Sequence, residues 1–143
     1  MSHLLDVNFL IACGWKSHEE HVRAGRWLEE AASFATCSVT EMGFLRVSMS
    51  PAFGASFADA RAALDAIVGM RAHRFVSDDT RASSLPVVVS GRDVTDGHLV
   101  CLAARHRLKL ATLDRALIDK PWAAGIAEDP TRRRSGPRSL TSA

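Results

Sequence analysis

Short apolar runs alternate in this chain with longer segments in which apolar residues recur at helical spacing. This alternation is typical of a parallel sheet covered by helices, because parallel neighbours need long crossover connections. A length of 143 residues has room for one such domain. We therefore predict an α/β fold, a three-layer α/β/α sandwich around a central, mostly parallel sheet. Its predicted strands cover residues 3–7, 33–37, 73–76 and 108–112.

Polar residues suited to helix N-termini indicate where the helices begin. Ser17, with a glutamate three residues later, has the spacing of a capping box. Thr40 and Thr95 are predicted to cap two later helices. Apolar residues at helical spacing predict a further helix over 56–71, and a short helix is expected over 115–119.

Charge is unevenly distributed along the chain. Residues 129–143 contain four arginines and one acid and lack apolar periodicity, so we predict a disordered basic tail. Residues 1–128, the predicted globular domain, hold 14 basic and 15 acidic side chains. A pervasively basic nucleic-acid binder needs positive charge over its whole fold, and this balance excludes that class.

Several features predict a cytoplasmic protein without membrane segments. No apolar run approaches the roughly 18 to 20 residues that cross a bilayer, and the N-terminus lacks the basic segment of a signal peptide. Cys13, Cys37 and Cys101 are odd in number, widely spaced and surrounded by apolar neighbours. This pattern predicts buried, reduced thiols and makes a zinc site improbable.

Four acids from separate segments are the candidate functional residues. Asp6 interrupts an apolar run, where an unpaired carboxylate would cost several kcal/mol, so it needs a cation, a metal or backbone donors. Asp114 follows the last predicted strand, and Glu41 and Asp96 fall in the first turns of predicted helices. In open parallel sheets, strand carboxyl ends and the following helix starts meet at the ligand crevice. We therefore expect the four acids to face one another.

Clustered carboxylates raise one another's pKa and need a compensating positive charge. Oxygen-only ligands favour Mg²⁺ or Mn²⁺, and magnesium is commonly completed by a substrate phosphate. The four acids therefore indicate metal-assisted phosphodiester chemistry.

Each acid also has a structural interpretation when it is considered alone. Glu41 and Asp96 suit the positive ends of helix dipoles, and Asp114 suits a turn after its strand. Asp6 is the hardest to explain structurally, because acids are rarely buried unless they are paired.

Four short segments together resemble the signature of the PIN-domain family: LDVN at 5–8, TEMGFLR at 40–46, VTDGHL at 94–99 and ATLD at 111–114. Their order and spacing cover residues 3–127. The similarity is greatest to VapC-type ribonuclease toxins of bacterial toxin–antitoxin pairs. The resemblance implies a metal-dependent endoribonuclease that a cognate antitoxin protein holds inactive.

The resemblance also assigns roles to individual residues. It places an acidic quartet around Mg²⁺ or Mn²⁺, as catalytic residues and metal ligands: Asp6, Glu41, Asp96 and Asp114.

Three further residues match supporting positions of the family. Asn8 matches a polar residue that orients the site, and Thr112 a hydroxyl that hydrogen-bonds close to it. Arg46 matches a basic residue that contacts RNA or pairs with an acid, with a solvated helix face as the alternative. The family also implies a homodimer, for which Trp15 and Trp27 are candidate contacts, with core packing as the alternative.

Neighbouring titratable residues are predicted to lie outside the metal site. Asp93 suits a loop or turn. His18 and His21 are interpreted as solvated residues on one helix face. His98 is expected to pack or to contact RNA.

Other enzymes with acids at strand ends fit this sequence less well. A haloacid-dehalogenase-type phosphatase needs an aspartate where Asn8 stands, and a response-regulator receiver needs adjacent early acids and a late lysine. The remaining alternative is a catalytically silent PIN-like module that binds RNA or a protein. Such a module is expected to have lost one or more of the four acids.

Overall fold

A computed structural model describes residues 2–132. Its sheet has five parallel strands in the order β3-β2-β1-β4-β5. Leu4 at the centre lies opposite Ala35 on one side and Leu110 on the other. The predicted mostly parallel α/β sheet is therefore confirmed. The strands are β1 (His3–Leu5), β2 (Phe34–Thr36), β3 (His73–Phe75), β4 (Lys109–Ala111) and β5 (Ala127–Glu128).

The order of the strands reverses beside β1. The chain moves from β1 through β2 to β3 on one side and then crosses to β4 and β5 on the other. In such doubly wound sheets, connections leave the two central strands in opposite directions and open a crevice at their carboxyl ends. The crevice is therefore expected where β1 and β4 end, at Leu5 and Ala111.

In the described part of the chain, six α-helices accompany the strands: α1 (Val7–Gly14), α2 (His21–Glu30), α3 (Ser38–Ser48), α4 (Phe57–Val68), α5 (Asp93–Arg105) and α6 (Arg115–Ile118). Two short 3₁₀ helices, Ala82–Ser84 and Pro121–Ala123, interrupt the later connections. Within residues 2–132, no helix is long and apolar enough to cross a membrane.

Two apolar cores lie on opposite faces of the sheet. Because side chains alternate along a strand, Leu4 and Leu5 enter different cores. The first core contains Leu99 and Leu102 of α5, and the second contains Phe9 of α1 and the aromatic residues Phe34 and Phe44. This division into helix, sheet and helix layers confirms the predicted sandwich.

The first helix and the last strand were not predicted from the sequence. The apolar run after Asp6 forms α1, and periodicity cannot distinguish so short a buried helix from a strand. The predicted strand therefore stops at Leu5 rather than at residue 7. With only two residues, β5 is too short to give a pattern.

Three of the predicted helix starts were wrong. Residues 15–20 form turns, and α2 begins only at His21, after Glu20, so Ser17 does not cap it. Thr40 lies three residues inside α3, where its hydroxyl accepts a hydrogen bond from the Cys37 amide. Thr95 lies inside α5, which begins two residues earlier.

The predicted basic tail begins with residues that contact the domain. The carboxylate of Asp129, whose side chain is 4% exposed, accepts hydrogen bonds from Arg23 of α2 and from Arg132. Thr131 also contacts Arg23. Residues 129–132 are thus held against α2, and residues 133–143 lie outside the described part of the chain.

Trp15 and Trp27 pack against other side chains of the domain, and the cysteines form no disulfide within the described residues. Trp15 stacks on Phe44 and donates to the Ser48 hydroxyl, and Trp27 makes edge contacts with His3 and Phe9. These contacts favour core packing over a dimer interface for both tryptophans. The cysteines are unpaired thiols, two of them buried and Cys101 partly exposed.

The contact between α1 and α3 leaves no room for a side chain at Gly43. A Cβ atom there would lie 2.5 Å from Cγ2 of Val7, and the stiff valine side chain cannot easily move away. We expect Gly43→Ala to lower the free energy of unfolding by about 1–3 kcal/mol in urea titrations. Gly91→Ala, with no atom within 4 Å of the added carbon, is the matched control. Equal stability of the two variants would contradict the close contact.

Candidate active site

The acidic residues lie at the edge of the sheet where the strand order reverses. Asp6 directly follows β1, and Asp114 follows β4 after two residues. Asp96 reaches the same place from the first turn of α5. These three acids line one cavity of about 360 Å³, which we call the acid cavity.

Asp6 is the most buried of the acids, with 6% of its surface exposed. It is also the N-cap of α1. Its Oδ1 accepts a hydrogen bond from the Val7 amide at 2.8 Å, and its Oδ2 accepts one from the Thr112 hydroxyl at 2.8 Å. Burial raises the pKa of Asp6, the two hydrogen bonds oppose this shift, and the charge of Asp114 adds to it. The carboxylate is therefore held in one orientation at an energetic cost.

Thr112 connects the two strand ends. Its hydroxyl donates to Asp6 and accepts a hydrogen bond from the Asp114 amide at 3.1 Å. Asn8 fixes the same junction, because its Oδ1 accepts from the Leu113 amide at 3.1 Å. Asp114 in turn caps α6 through the Leu117 amide. Asn8 and Thr112, the two supporting residues that the resemblance singled out, thus hydrogen-bond at the junction that carries Asp6 and Asp114.

Burial and the charges of neighbouring acids act together on Asp96. Burial raises its pKa to about 6, with further contributions from the charges of Asp6, Asp114 and Asp93. These residues therefore form one charged cluster.

Two further residues of the acid cavity, His18 and Phe53, were not predicted to line it. His18, which was expected to be a solvated residue on a helix face, lies instead in the turn before α2, where its Nδ1 accepts from the Glu20 amide. Phe53 lies in the turn after α3. Both come from irregular segments that carry no periodic signal.

Comparison with known proteins agrees with this geometry. The family model described as PIN domain matches residues 3–123. This chain belongs to the PIN-domain family. Among curated relatives, Ribonuclease VapC38 of Mycobacterium tuberculosis (strain H37Rv) is 43% identical over 118 residues, covering 78% of this chain and 84% of that protein.

Two further relatives extend the similarity to the VapC ribonucleases of that organism. Ribonuclease VapC39 (strain CDC 1551) is 39% identical over 138 residues, with 90% of this chain and 99% of that protein covered. Ribonuclease VapC29 of the same strain is 38% identical over 120 residues, covering 82% and 89% respectively. The chain is thus a PIN domain of the VapC ribonuclease family.

Glu41 occupies a separate position in this PIN domain. Its Oε2 accepts from the Thr36 hydroxyl at 2.7 Å, and that hydroxyl lies 2.6 Å from Nε2 of His73. Burial lowers the pKa of His73, and the charge of Glu41 opposes this shift. Glu41 is at the same edge of the sheet as the other acids but does not line the acid cavity. Glu41 thus lies in the first turn of the expected helix, but the structure does not bring it into one cavity with the other three acids, as the sequence had led us to expect.

Arg46 and three other predicted residues lie outside the acid cavity. Arg46 is exposed in the last turn of α3. His98 pairs with Asp78 at 2.5 Å, in keeping with a packing role. His21 is not a solvated residue, because it begins α2 and its Nδ1 contacts the Ala12 carbonyl at 2.8 Å. Asp93 is the first residue of α5 rather than part of a loop.

The chemistry of the acid cavity fits a hard divalent cation. Within residues 2–132, no group of three or more His, Cys, Asp or Glu side chains is arranged to hold a metal by itself. Mg²⁺ does not require such a cage, since it is usually bound by one or two carboxylates, several waters and a substrate phosphate. The carboxylates of Asp6, Asp96 and Asp114 are oxygen donors that line this cavity, and together they bring excess negative charge.

Burial of Asp96 and its repulsion by neighbouring acids are expected to lower the stability of this PIN domain near neutral pH. The pKa of Asp96 is about 6 in the folded protein and 3.8 in a model peptide, so stability falls as pH rises through this window. We expect Asp96→Asn, in EDTA, to raise the free energy of unfolding near neutral pH by about 1 kcal/mol, a value reduced for solvent screening. Urea titrations near pH 7.5 and near pH 4 would measure the difference.

The increase in the free energy of unfolding should be smaller near pH 4, because Asp96 is then protonated in the folded wild-type protein. Asp119→Asn, at an exposed position after α6, is the control and should leave the free energy of unfolding unchanged at both pH values. If Asp96→Asn raised the free energy of unfolding equally at both pH values, or lowered it, the raised pKa of Asp96 would be contradicted.

Proposed function

We propose that this protein is a metal-dependent endoribonuclease toxin of a toxin–antitoxin pair. The observation that carries the proposal is the convergence of Asp6, Asp96 and Asp114 on one cavity where the strand order reverses. The relatives named Ribonuclease VapC support RNA as the substrate.

In the proposed mechanism, Asp6, Asp96 and Asp114 would hold Mg²⁺ or Mn²⁺ in the acid cavity, with Asp6 and Asp96 as principal ligands. Glu41, which lies outside that cavity, is proposed as a further ligand from the family resemblance alone. When bound, such an ion would supply Lewis-acid activation of the phosphodiester and of the attacking water. Thr112 and the Val7 amide hold the Asp6 carboxylate in place. Such fixed orientation avoids reorganisation during the reaction.

The remaining polar residues act on the acids rather than on RNA. Asn8 holds the backbone that leads from β4 to Asp114. Thr36 keeps Glu41 in a single orientation at the carboxyl edge of the sheet. Hydrolysis by attack of water is proposed to leave a 5′-phosphate and a 3′-hydroxyl.

The partners belong to the same proposal. A cognate antitoxin would cover the acid cavity, where a basic side chain complements the excess negative charge. A cytoplasmic location is consistent with the unpaired cysteines and with an RNA substrate. A homodimer is proposed from the family resemblance, and exposed Phe75, Val87 and Val89 are better candidates for its contact than the tryptophans.

Substitution of Asp6 tests the catalytic role of the acid cavity. Asp6→Asn keeps the shape of the side chain but removes its charge, so we expect RNA cleavage to fall at least about 100-fold. The measurement is cleavage of total bacterial RNA by purified protein in Mg²⁺ or Mn²⁺, with mapping of the new RNA ends.

Two controls make this experiment decisive. EDTA should abolish wild-type cleavage, and Asp119→Asn should cleave like the wild type. Absence of cleavage by the wild type with either ion would favour the silent binding module instead. Full activity of Asp6→Asn in excess EDTA would exclude the mechanism.

A further inference from the structure

A second cavity, of about 280 Å³, shares two acids with the acid cavity. Asp96 and Asp114 line both cavities and therefore form the wall between them. Besides these two acids, the second cavity is lined by the charged residues Arg92, Lys120 and Asp93. These three carry one surplus positive charge once Asp96 and Asp114 are assigned to the metal, and we call the space the basic cavity. The two spaces differ in character, since the acid cavity is otherwise lined by side chains such as Ile11, Val47 and Phe53.

The two cations reach the basic cavity from different elements. Arg92 is the exposed N-cap residue of α5, and Lys120 follows α6. The Lys120 ammonium lies 3.6 Å from Oδ2 of Asp93. This separation exceeds an ordinary charge-assisted hydrogen bond of about 2.7–2.9 Å. Lys120 therefore keeps its hydrogen-bond donors available for another acceptor.

With a metal bound to Asp96 and Asp114, Asp93 would be left to balance two cations of the basic cavity. Asp93 pairs loosely with Lys120, while Asp96 and Asp114 are the residues proposed to bind the metal. A cation directly beside a proposed metal site competes with the metal for these carboxylates. Such a cation is stabilised when a negatively charged group lies between it and the metal.

We propose that Arg92 and Lys120 form a binding site for a backbone phosphate of the RNA next to the scissile bond. Arg92 offers a planar fork that matches two phosphate oxygens, and Lys120 offers a point charge. The RNA strand would then pass over Asp96 and Asp114, with one phosphate at these acids and its neighbour in the basic cavity. This inference rests on the proposed nuclease function and assigns the direction in which the strand leaves the acids.

RNA binding without cleavage tests the proposal. The probe is a fluorescently labelled single-stranded RNA of random sequence, bound to protein carrying Asp6→Asn and followed by anisotropy over a series of salt concentrations. We expect Lys120→Gln and Arg92→Gln each to weaken binding about 5- to 10-fold. Each should also reduce the slope of log affinity against log salt by about 0.7, the value for one phosphate contact on a single strand.

Variants of the neighbouring residues separate phosphate binding from a structural role. Lys120→Arg keeps the positive charge and should retain most of the affinity. Asp93→Asn releases Lys120 and should leave RNA affinity unchanged or higher. Arg61→Gln, on the exposed face of α4 and paired with Asp65, is the charge-matched control and should change neither affinity nor slope.

Some outcomes would overturn the phosphate site alone. Equal loss of binding in Lys120→Gln and Asp93→Asn would assign the pair a structural role, and an unchanged salt slope in Lys120→Gln would exclude a phosphate contact. Cleavage by the wild-type protein, measured separately, keeps this outcome distinct from failure of the nuclease function. If the wild type cleaves RNA while Lys120→Gln binds it normally, only the phosphate site is wrong.

Discussion

The carboxylate of Asp6 is almost completely removed from water, and the rest of the site depends on the hydrogen bonds that keep it there. Burial of an unpaired carboxylate would be strongly unfavourable. The Thr112 hydroxyl and the Val7 amide compensate part of this cost and join β1, α1 and β4 at one point. Asp6 is thus both an end cap for a core helix and a member of the acid cluster.

Much of the architecture could be predicted because it follows from apolar pattern and from strand ends. The four longer strands and the positions of Asp6, Asp96 and Asp114 are encoded locally, and parallel topology then brings the three acids together. Hydrogen bonds over long sequence separations are not encoded in this way. Family resemblance singled out Thr112 as a hydrogen-bonding residue near the site, but its bond to Asp6 required the structure. The link from Glu41 through Thr36 to His73 had no signal in the sequence.

The errors have a common physical origin. α1 is buried along most of its length, so it lacks the polar face that reveals a helix in sequence. The predicted caps at Ser17, Thr40 and Thr95 failed because hydroxyl residues also occupy turns and first helical turns. His18 and Phe53 reach the acid cavity from turns whose conformation depends on packing between helices.

The docking of Asp129 on Arg23 has a consequence for the outer edge of the sheet. Only two residues of β5 cover β4, and the chain beyond them is held by the ion pairs of a nearly buried carboxylate. Short edge strands protect a sheet from pairing with other chains. A chain cut before Asp129 would lose these ion pairs, and β4 would become more open to pairing with other chains. Affinity tags are therefore better attached after residue 132 than in place of residues 129–132.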